Sequence, residues 1–109
     1  MATVDDFLNL ELRVGTIVSA EPLPGARTPA LALRIHFGDF GTKTSSARIT
    51  DLYEPGELVG LQVVAVVNLP AKRIAGLESE VLVLAADDGR GQHMLLIPER
   101  PVPDGARIS

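Results

Sequence analysis

LALRIHF, residues 31–37, carries the clearest structural pattern in this sequence. Large apolar side chains alternate with small or polar ones, and successive side chains of a β-strand point to opposite faces of a sheet. The residues expected to face a core are Leu31, Leu33, Ile35 and Phe37. Arg34 and His36 fall on the other face. The segment therefore predicts a half-buried strand and, with it, a β fold.

Further strand patterns lie before and after this one. LRVGTIVSA (residues 12–20) is rich in β-branched residues, and Gly15 within it suggests a bulge or a bend. KTSSARI (residues 43–49) predicts a polar strand, and HMLLIP (residues 93–98) predicts another strand near the C-terminus. Short strands with turn signals between them favour a small closed barrel or a sandwich.

Two segments differ because they are apolar on both faces. They are LQVVAVVNL, residues 61–69, and EVLVLAA, residues 80–86. A strand without a polar side is covered twice. In a small barrel, we expect the barrel interior to cover one face and a helix or a second subunit to cover the other.

Little helix is expected. Asp5 and Asp6 favour a short helix over residues 3–8, because acids in the first turn complement the positive end of a helix. The connector of residues 51–60 is predicted to hold one helical turn, in which Pro55 takes a first-turn position.

Length and charge restrict the function. The chain has 109 residues, so residues 1–109 are expected to form one domain, and a domain this short leaves apolar area near its surface, which makes oligomerisation an option. The net charge of −4 argues against a strongly basic nucleic-acid binder. Local charge is nevertheless uneven. The cations of residues 23–50 are Arg27, Arg34, Lys43 and Arg48, against the single acid Asp39.

Several kinds of site are not expected. The sequence has no cysteine, and its two histidines, His36 and His93, have no metal-ligand spacing, so we predict no metal and no cofactor. No nucleophile motif or phosphate-binding loop occurs, which argues against an enzyme. No signal peptide and no membrane-spanning run is evident, so we expect a soluble, cytoplasmic protein without membrane insertion.

The candidate binding residues each have a second interpretation. Lys72 and Arg73 either contact a ligand or keep a hairpin soluble. Arg34, together with Arg48 on the next strand, lies either on a binding face or on an ordinary solvated strand. The remaining pair is Ser45 and Ser46, whose hydroxyls would bond either a ligand or the nearby backbone.

Two stretches together resemble a known family. LELRVGTIVSAEPLPGAR (residues 10–27) and VVNLPAKRIAGLESEVLVLAA (residues 66–86), with TSSARITDLYEPGELVG (residues 44–60) between them, resemble the tRNA-binding-domain family, an OB-fold module of some aminoacyl-tRNA synthetases and of free-standing dimeric proteins. The sequence is similar in particular to the free-standing CsaA branch of protein-export chaperones. The resemblance covers almost the whole chain.

The resemblance implies a five-stranded OB-fold barrel, all-β, with a short N-terminal helix and a C-terminal extension involved in dimerisation. The residues that match the basic loop of the family are Asn68, Lys72, Arg73, Gly76 and Ser79. Pro70 and Ala71 stand where the family commonly has a lysine and then a proline, so a tRNA site would lack one cation. The same departure resembles the CsaA branch.

Two functions follow from the resemblance. The first is an ATP-independent molecular chaperone that binds unfolded or pre-secretory polypeptides as a homodimer and assists protein export, with the export machinery as a further partner. The alternative is a tRNA-binding protein that recognises tRNA shape through a basic face of the barrel. The residues implied for either ligand are Arg34, Ser45, Ser46, Arg48, Asn68, Lys72, Arg73 and Ser79.

Overall fold

A computed structural model describes residues 1–50 and 52–109 of the chain. Within these residues it contains two short α-helices, one 3-10 turn at Gly38–Phe40 and nine β-strands. The helices are α1 (Val4–Leu8) and α2 (Pro55–Leu58). The strands are β1 (Leu12–Pro22), β2 (Leu31–His36), β3 (Thr42–Ala47), β4 (Gln62–Val66), β5 (Lys72–Ile74), β6 (Leu77–Ser79), β7 (Leu82–Val83), β8 (Ala85–Asp87) and β9 (His93–Leu95).

Five of the strands form one antiparallel sheet in the order β3-β2-β1-β4-β7. The sheet curls until β3 meets the segment that leads into β7. There the carbonyl of Thr44 accepts from the amides of Glu80 (2.9 Å) and Val81 (3.3 Å). These bonds nearly close a five-stranded barrel. The predicted all-β OB-type fold is confirmed.

The core has the composition that LALRIHF predicts. Leu33, Ile35 and Phe37 are completely buried, and Arg34 and His36 are exposed. The rest of the barrel core is aliphatic. It includes Ile17, Leu31, Ile49, Leu58, Val63, Ala65, Val81, Val83 and Leu95.

The bend in β1 lies later than the sequence predicted. The pairing register of β1 with β2 shifts between Ile17 and Ser19, so the extra residue is Val18, which is exposed. A one-residue insertion reverses the faces of the residues that follow it. Gly15 instead allows close packing, because a Cβ there would lie 2.7 Å from the ring of Phe37.

Both predicted helices are present. Thr3 and Asp6 form a capping box at the start of α1, in which each side chain bonds the backbone of the other residue. Pro55 begins α2, as expected. Asp51, the first residue of the predicted connector, lies outside the described residues. No helix in the described ranges is long and apolar enough to cross a membrane.

The C-terminal segment docks against the first half of β1. Residues Leu12–Gly15 extend beyond the end of β2, and their free edge pairs with residues 105–108. The amide of Val14 donates to Ala106 (2.9 Å), and its carbonyl accepts from Gly105 (2.7 Å). The carboxylate of Asp104 accepts from the Thr16 hydroxyl at 2.6 Å and from the Gln62 side chain at 3.1 Å. Residues 105–108 therefore take the place beside β1 that β2 leaves open, and they extend the sheet along the same edge.

Candidate functional site

A groove of about 700 Å³ opens where the end of β3, the β5–β6 hairpin and the β8–β9 hairpin meet. We call it the basic groove. Its apolar lining includes Ile49, Leu69, Ile74, Val81, Leu82, Val83 and Leu95. Its polar lining includes Ser46, Arg48, Lys72, Ser79, Glu80 and His93. The groove is thus an apolar depression with charged groups along its walls.

The β5–β6 hairpin determines which cation of the basic loop reaches the groove. Adjacent residues of a strand point to opposite faces, so Lys72 and Ile74 line the groove and Arg73 does not. Arg73 lies opposite Glu78 and donates to the Gly76 carbonyl at 3.4 Å. The two neighbouring cations, which the sequence presents as a pair, therefore serve different surfaces.

The turn of this hairpin is tight. Ala75 has a φ of 49° and Gly76 a φ of 85°. Two positive φ values in a two-residue loop are typical of the turn that matches the twist of a hairpin. Gly76 suits this turn, because glycine adopts a positive φ without a steric cost. Ala75 carries a Cβ in the left-handed region, which costs energy.

The groove has an excess of positive charge. Within the described part of the chain, Arg48 and Lys72 form no ion pair. The one acid in the lining, Glu80, already accepts from the Thr44 amide and the Thr44 hydroxyl, both at 3.1 Å. Charges that a concave apolar wall surrounds create a stronger local field than the same charges on open surface. An anionic group on a ligand would therefore be attracted here although the chain carries a net charge of −4.

The lining contains no Phe, Tyr or Trp among the residues that the structure describes. Single-stranded nucleic acids gain affinity when their bases stack on aromatic rings. The basic groove offers aliphatic side chains instead, which suit apolar side chains of a ligand.

The structure brings four of the eight predicted ligand residues into the groove: Ser46, Arg48, Lys72 and Ser79. Ser79 also has a structural contact, because its hydroxyl accepts from the Ser46 amide at 3.0 Å. The charged members of this set are Arg48 and Lys72, and neither forms an ion pair within residues 1–50 and 52–109.

The other four residues lie elsewhere. Ser45 is completely buried and donates to the Val81 carbonyl at 3.0 Å, which leaves its hydroxyl no surface for a ligand. The Asn68 amide holds the chain after α1, since it accepts from the Glu11 amide and donates to the Asn9 carbonyl, both at 2.8 Å. The remaining two, Arg34 and Arg73, are exposed and lie outside the groove lining.

Sequence reasoning missed His93 and the apolar lining of the groove. In the sequence His93 has no metal-ligand spacing, and nothing there predicts its place in the groove. In residues 1–50 and 52–109, no three His, Asp or Glu side chains are placed to hold a metal ion. The alternation of β9 offered a usable signal, because it places His93 on the same side as Leu95, which is buried.

Comparisons with known proteins agree with this geometry. Residues 12–107 match the family model "Putative tRNA binding domain". A crystal structure of the chaperone CsaA from Bacillus anthracis is 51% identical, with a TM-score of 0.95 over 100% of this chain and 99% of that one. The CsaA chaperone protein from Picrophilus torridus is 44% identical, with a TM-score of 0.93 over 100% of both chains.

Curated relatives include much longer proteins. A methionine–tRNA ligase from Porphyromonas gingivalis is 38% identical over 95% of this chain, which corresponds to 15% of the ligase. A methionine–tRNA ligase from Methanothrix thermoacetophila is 42% identical, again over 95% of this chain and 15% of the ligase. The chain thus spans about 15% of the length of these relatives.

Proposed function

The chain belongs to the tRNA-binding-domain family. Within this family, we propose that it is an ATP-independent chaperone that binds unfolded or pre-secretory polypeptides in the basic groove. Its resemblance to the CsaA branch is confirmed by the two CsaA structures that match it over its whole length. The proposed work of the protein is binding, not catalysis. We further propose that it acts in the cytoplasm and delivers its clients for export.

The observation that carries this proposal is the combination of an apolar lining with two cations that form no ion pair among the residues the structure describes. An unfolded polypeptide exposes aliphatic side chains, whose burial contributes about 25 cal/mol per Å² of apolar surface. Arg48 and Lys72 add charge-assisted hydrogen bonds to carbonyl or carboxylate oxygens, which are stronger than neutral ones. A groove of about 700 Å³ accommodates several side chains of such a segment.

A tRNA ligand is the second candidate. The family description and the exposed cations favour it. The net charge of −4 and the absence of an aromatic ring in the described groove lining count against it. On a tRNA surface Arg73 would contribute as much as Lys72, because phosphate attraction acts along the whole basic loop and not only inside a groove.

This difference defines the test. We would measure fluorescence anisotropy of labelled unfolded signal-bearing peptide and of labelled tRNA, each at 50 and 200 mM salt. The variants are Lys72→Ala and its matched control Arg73→Ala, which removes the neighbouring charge from the other side of β5. For peptide binding, we expect Lys72→Ala to weaken affinity about 3- to 10-fold and Arg73→Ala to have little effect.

The salt dependence separates the two functions. A complex held by several phosphate contacts loses orders of magnitude in affinity over this range of salt, whereas an apolar complex loses little. Equal losses for both variants, together with steep salt dependence and tight tRNA binding, would establish the tRNA function instead. If neither ligand binds, both functions fail.

We also propose that the protein is a homodimer. The outer side of the barrel carries an apolar face, and one of its residues, Leu82, also lines the groove. Leu82, Met94 and Leu96 are 51%, 49% and 43% exposed there. Leu82 lies next to Val66 in the sheet, and Val66 is buried outside the barrel core. The sequence predicts that the strand within residues 61–69 is covered on both faces. The barrel interior covers one of them, and this outer face is the other.

The chain covers part of this side itself. The side chain of Gln62 accepts from the Val102 amide at 3.1 Å and donates to the Val102 carbonyl at 2.7 Å, so the C-terminal extension binds its own barrel at this end. Its predicted part in dimerisation remains a proposal. The exposed apolar residues nearer β9 are the surface that we propose a second copy covers.

Sedimentation equilibrium at micromolar concentration should give about twice the chain mass of 11.6 kDa. Met94→Glu should shift the equilibrium to monomer, because the variant would bury a charge in the core of the interface, where charged residues are rare. Val59→Glu is the matched control, since Val59 is similarly exposed (53%) but follows α2. A monomeric wild-type chain, or equal effects of the two variants, would contradict the proposal.

A further inference from the structure

Four polar residues of the basic groove lie together and form one of its walls. Arg48 follows β3 two positions after Ser46, and both residues line the groove. The Ser46 amide donates to the Ser79 hydroxyl at 3.0 Å, and Ser79 pairs with Lys72 across the β5–β6 hairpin. We call these four residues the polar wall. Its two ends carry the cations Arg48 and Lys72.

The rest of the lining offers aliphatic surface beside the polar wall. Val81 and Val83 line the groove and are buried, so they form part of its floor. Leu69 is 38% exposed and Ile74 is half-buried, so both have surface left to cover. A ligand that fills the groove therefore meets aliphatic side chains and a cationic wall at the same time.

The charges of the polar wall suit an acidic group. Arg48 and Lys72 are exposed, and neither pairs with an acid within residues 1–50 and 52–109. Glu80, which also lines the groove, already accepts two bonds from Thr44 at 3.1 Å each. A carboxylate supplied by the ligand is the group that complements this wall.

We propose that the groove selects client segments in which an acidic residue stands among aliphatic ones, and this rests on the proposed function. Arg48 and Lys72 bind the carboxylate through charge-assisted hydrogen bonds, and the aliphatic lining covers its neighbours. A signal peptide combines positive charges with an apolar run, so the polar wall repels its charged end. The groove therefore holds acidic segments of the mature part of a client and not the signal peptide itself.

The charge of the whole chain predicts the opposite selectivity. A protein with a net charge of −4 repels an acidic peptide and attracts a basic one over long distances. A preference for the acidic peptide therefore reports the local charge of the groove.

The test uses three labelled peptides, Gly-Val-Leu-Xaa-Val-Leu-Gly, in which Xaa is Glu, Gln or Lys. Acetylated and amidated ends leave Xaa as the only charged position. Fluorescence anisotropy with wild-type protein at about 50 mM salt limits screening. We expect the Glu peptide to bind about 2- to 5-fold tighter than the Gln peptide, and the Gln peptide about 2- to 5-fold tighter than the Lys peptide. The Glu and Gln peptides share shape and apolar content.

A fourth peptide represents the signal sequence. Lys-Lys-Val-Leu-Val-Leu-Gly has the positive charges and the apolar run of its N-terminal part. Unlabelled, it should displace the labelled Glu peptide less effectively than the unlabelled Gln peptide does. Stronger displacement by the signal-like peptide would overturn the selectivity.

Two charge reversals locate the discrimination. Lys72→Glu and Arg73→Glu change the net charge of the protein equally, but only Lys72 lines the groove. With Lys72→Glu the groove has two acids against one cation, so the Lys peptide should bind tighter than the Glu peptide. Arg73→Glu should retain the wild-type order. Both side chains are exposed, so both variants should retain the wild-type Tm.

The outcomes separate this inference from the proposed function. Equal binding of the Glu and Gln peptides, or tightest binding of the Lys peptide to wild-type protein, overturns the selectivity and leaves the chaperone function standing. The wild-type order in Lys72→Glu, or a reversed order in Arg73→Glu, places the discrimination outside the groove and also overturns the inference. Absence of binding by every peptide, including the unfolded signal-bearing peptide, overturns the function itself.

Discussion

Replacement of Gly15 by alanine should destabilise the barrel although alanine has the higher intrinsic preference for most ordinary backbone positions. Gly15 lies in β1 with its backbone against the core. A Cβ at this position would lie 2.7 Å from Cγ2 of Ile35 and 2.7 Å from Cδ1 and Cε1 of Phe37. Ordinary contacts begin near 3.4 Å, so these atoms would have to move by about 0.7 Å.

The neighbours have little room to move. Ile35 and Phe37 are completely buried and close-packed, and an added methyl group in such a core forces side chains from their preferred rotamers. Overpacking of this kind costs about 1–3 kcal/mol. A domain of this size loses about 4–8 °C of Tm per kcal/mol, so Tm should fall by about 4–24 °C.

Urea unfolding at a fixed protein concentration measures the effect. Gly56→Ala is the matched control, because Gly56 lies in α2 and a Cβ there meets nothing within 4 Å. We expect the control to be neutral or up to about 1 kcal/mol more stable. The double mutant Gly15→Ala/Phe37→Leu should lose less unfolding free energy than the sum of the losses in the two single mutants, because the smaller leucine side chain leaves room for the added methyl group. An alanine at Gly15 that matches wild-type stability would refute the packing argument.

Three further predictions concern local contacts. Asn68→Ala removes both bonds that hold the chain after α1, so amide exchange of Glu11 should accelerate and stability fall by about 1–2 kcal/mol in urea; unchanged exchange would contradict the role given to the Asn68 amide. Asp104→Ala removes the carboxylate that accepts two side-chain bonds, and limited proteolysis should then release the C-terminal segment faster than in wild type. Ala75→Asn creates an Asn-Gly turn at two positive φ values and should raise the unfolding free energy by about 0.5–1 kcal/mol, which thermal and urea unfolding would detect.

Sequence periodicity predicted most of the barrel because its strands bury one face. The alternation of residues 31–37 survives intact, because β2 pairs with β3 without interruption and the extra residue in its pairing with β1 lies in β1. Residues 12–20 were harder. The extra residue at Val18 reverses the alternation of the strand. The predicted bulge is wrongly placed at Gly15 because a glycine in a strand can mark either a bulge or a closely packed position, and Gly15 is the latter.

The groove could be predicted only in part. Strand alternation alone implies that Lys72 and Arg73 face opposite ways, but the prediction from the sequence treats the two cations of the basic loop as one unit. The role of Asn68 depends on contact with residues 57 and 59 positions earlier, which no local pattern contains. The burial of Ser45 depends on closure of the barrel against Val81, 36 positions later.

The docking of residues 105–108 onto β1 also has a consequence for the order in which the chain acquires its structure. β1 is synthesised well before its partners at this edge, because Leu12–Gly15 pairs with residues more than ninety positions later. Closing so long a loop costs chain entropy before any contact repays it, and folds rich in such contacts form slowly. During synthesis this edge therefore stays open until residues 105–108 have been made, and a protein proposed to protect other unfolded chains is itself exposed for that interval.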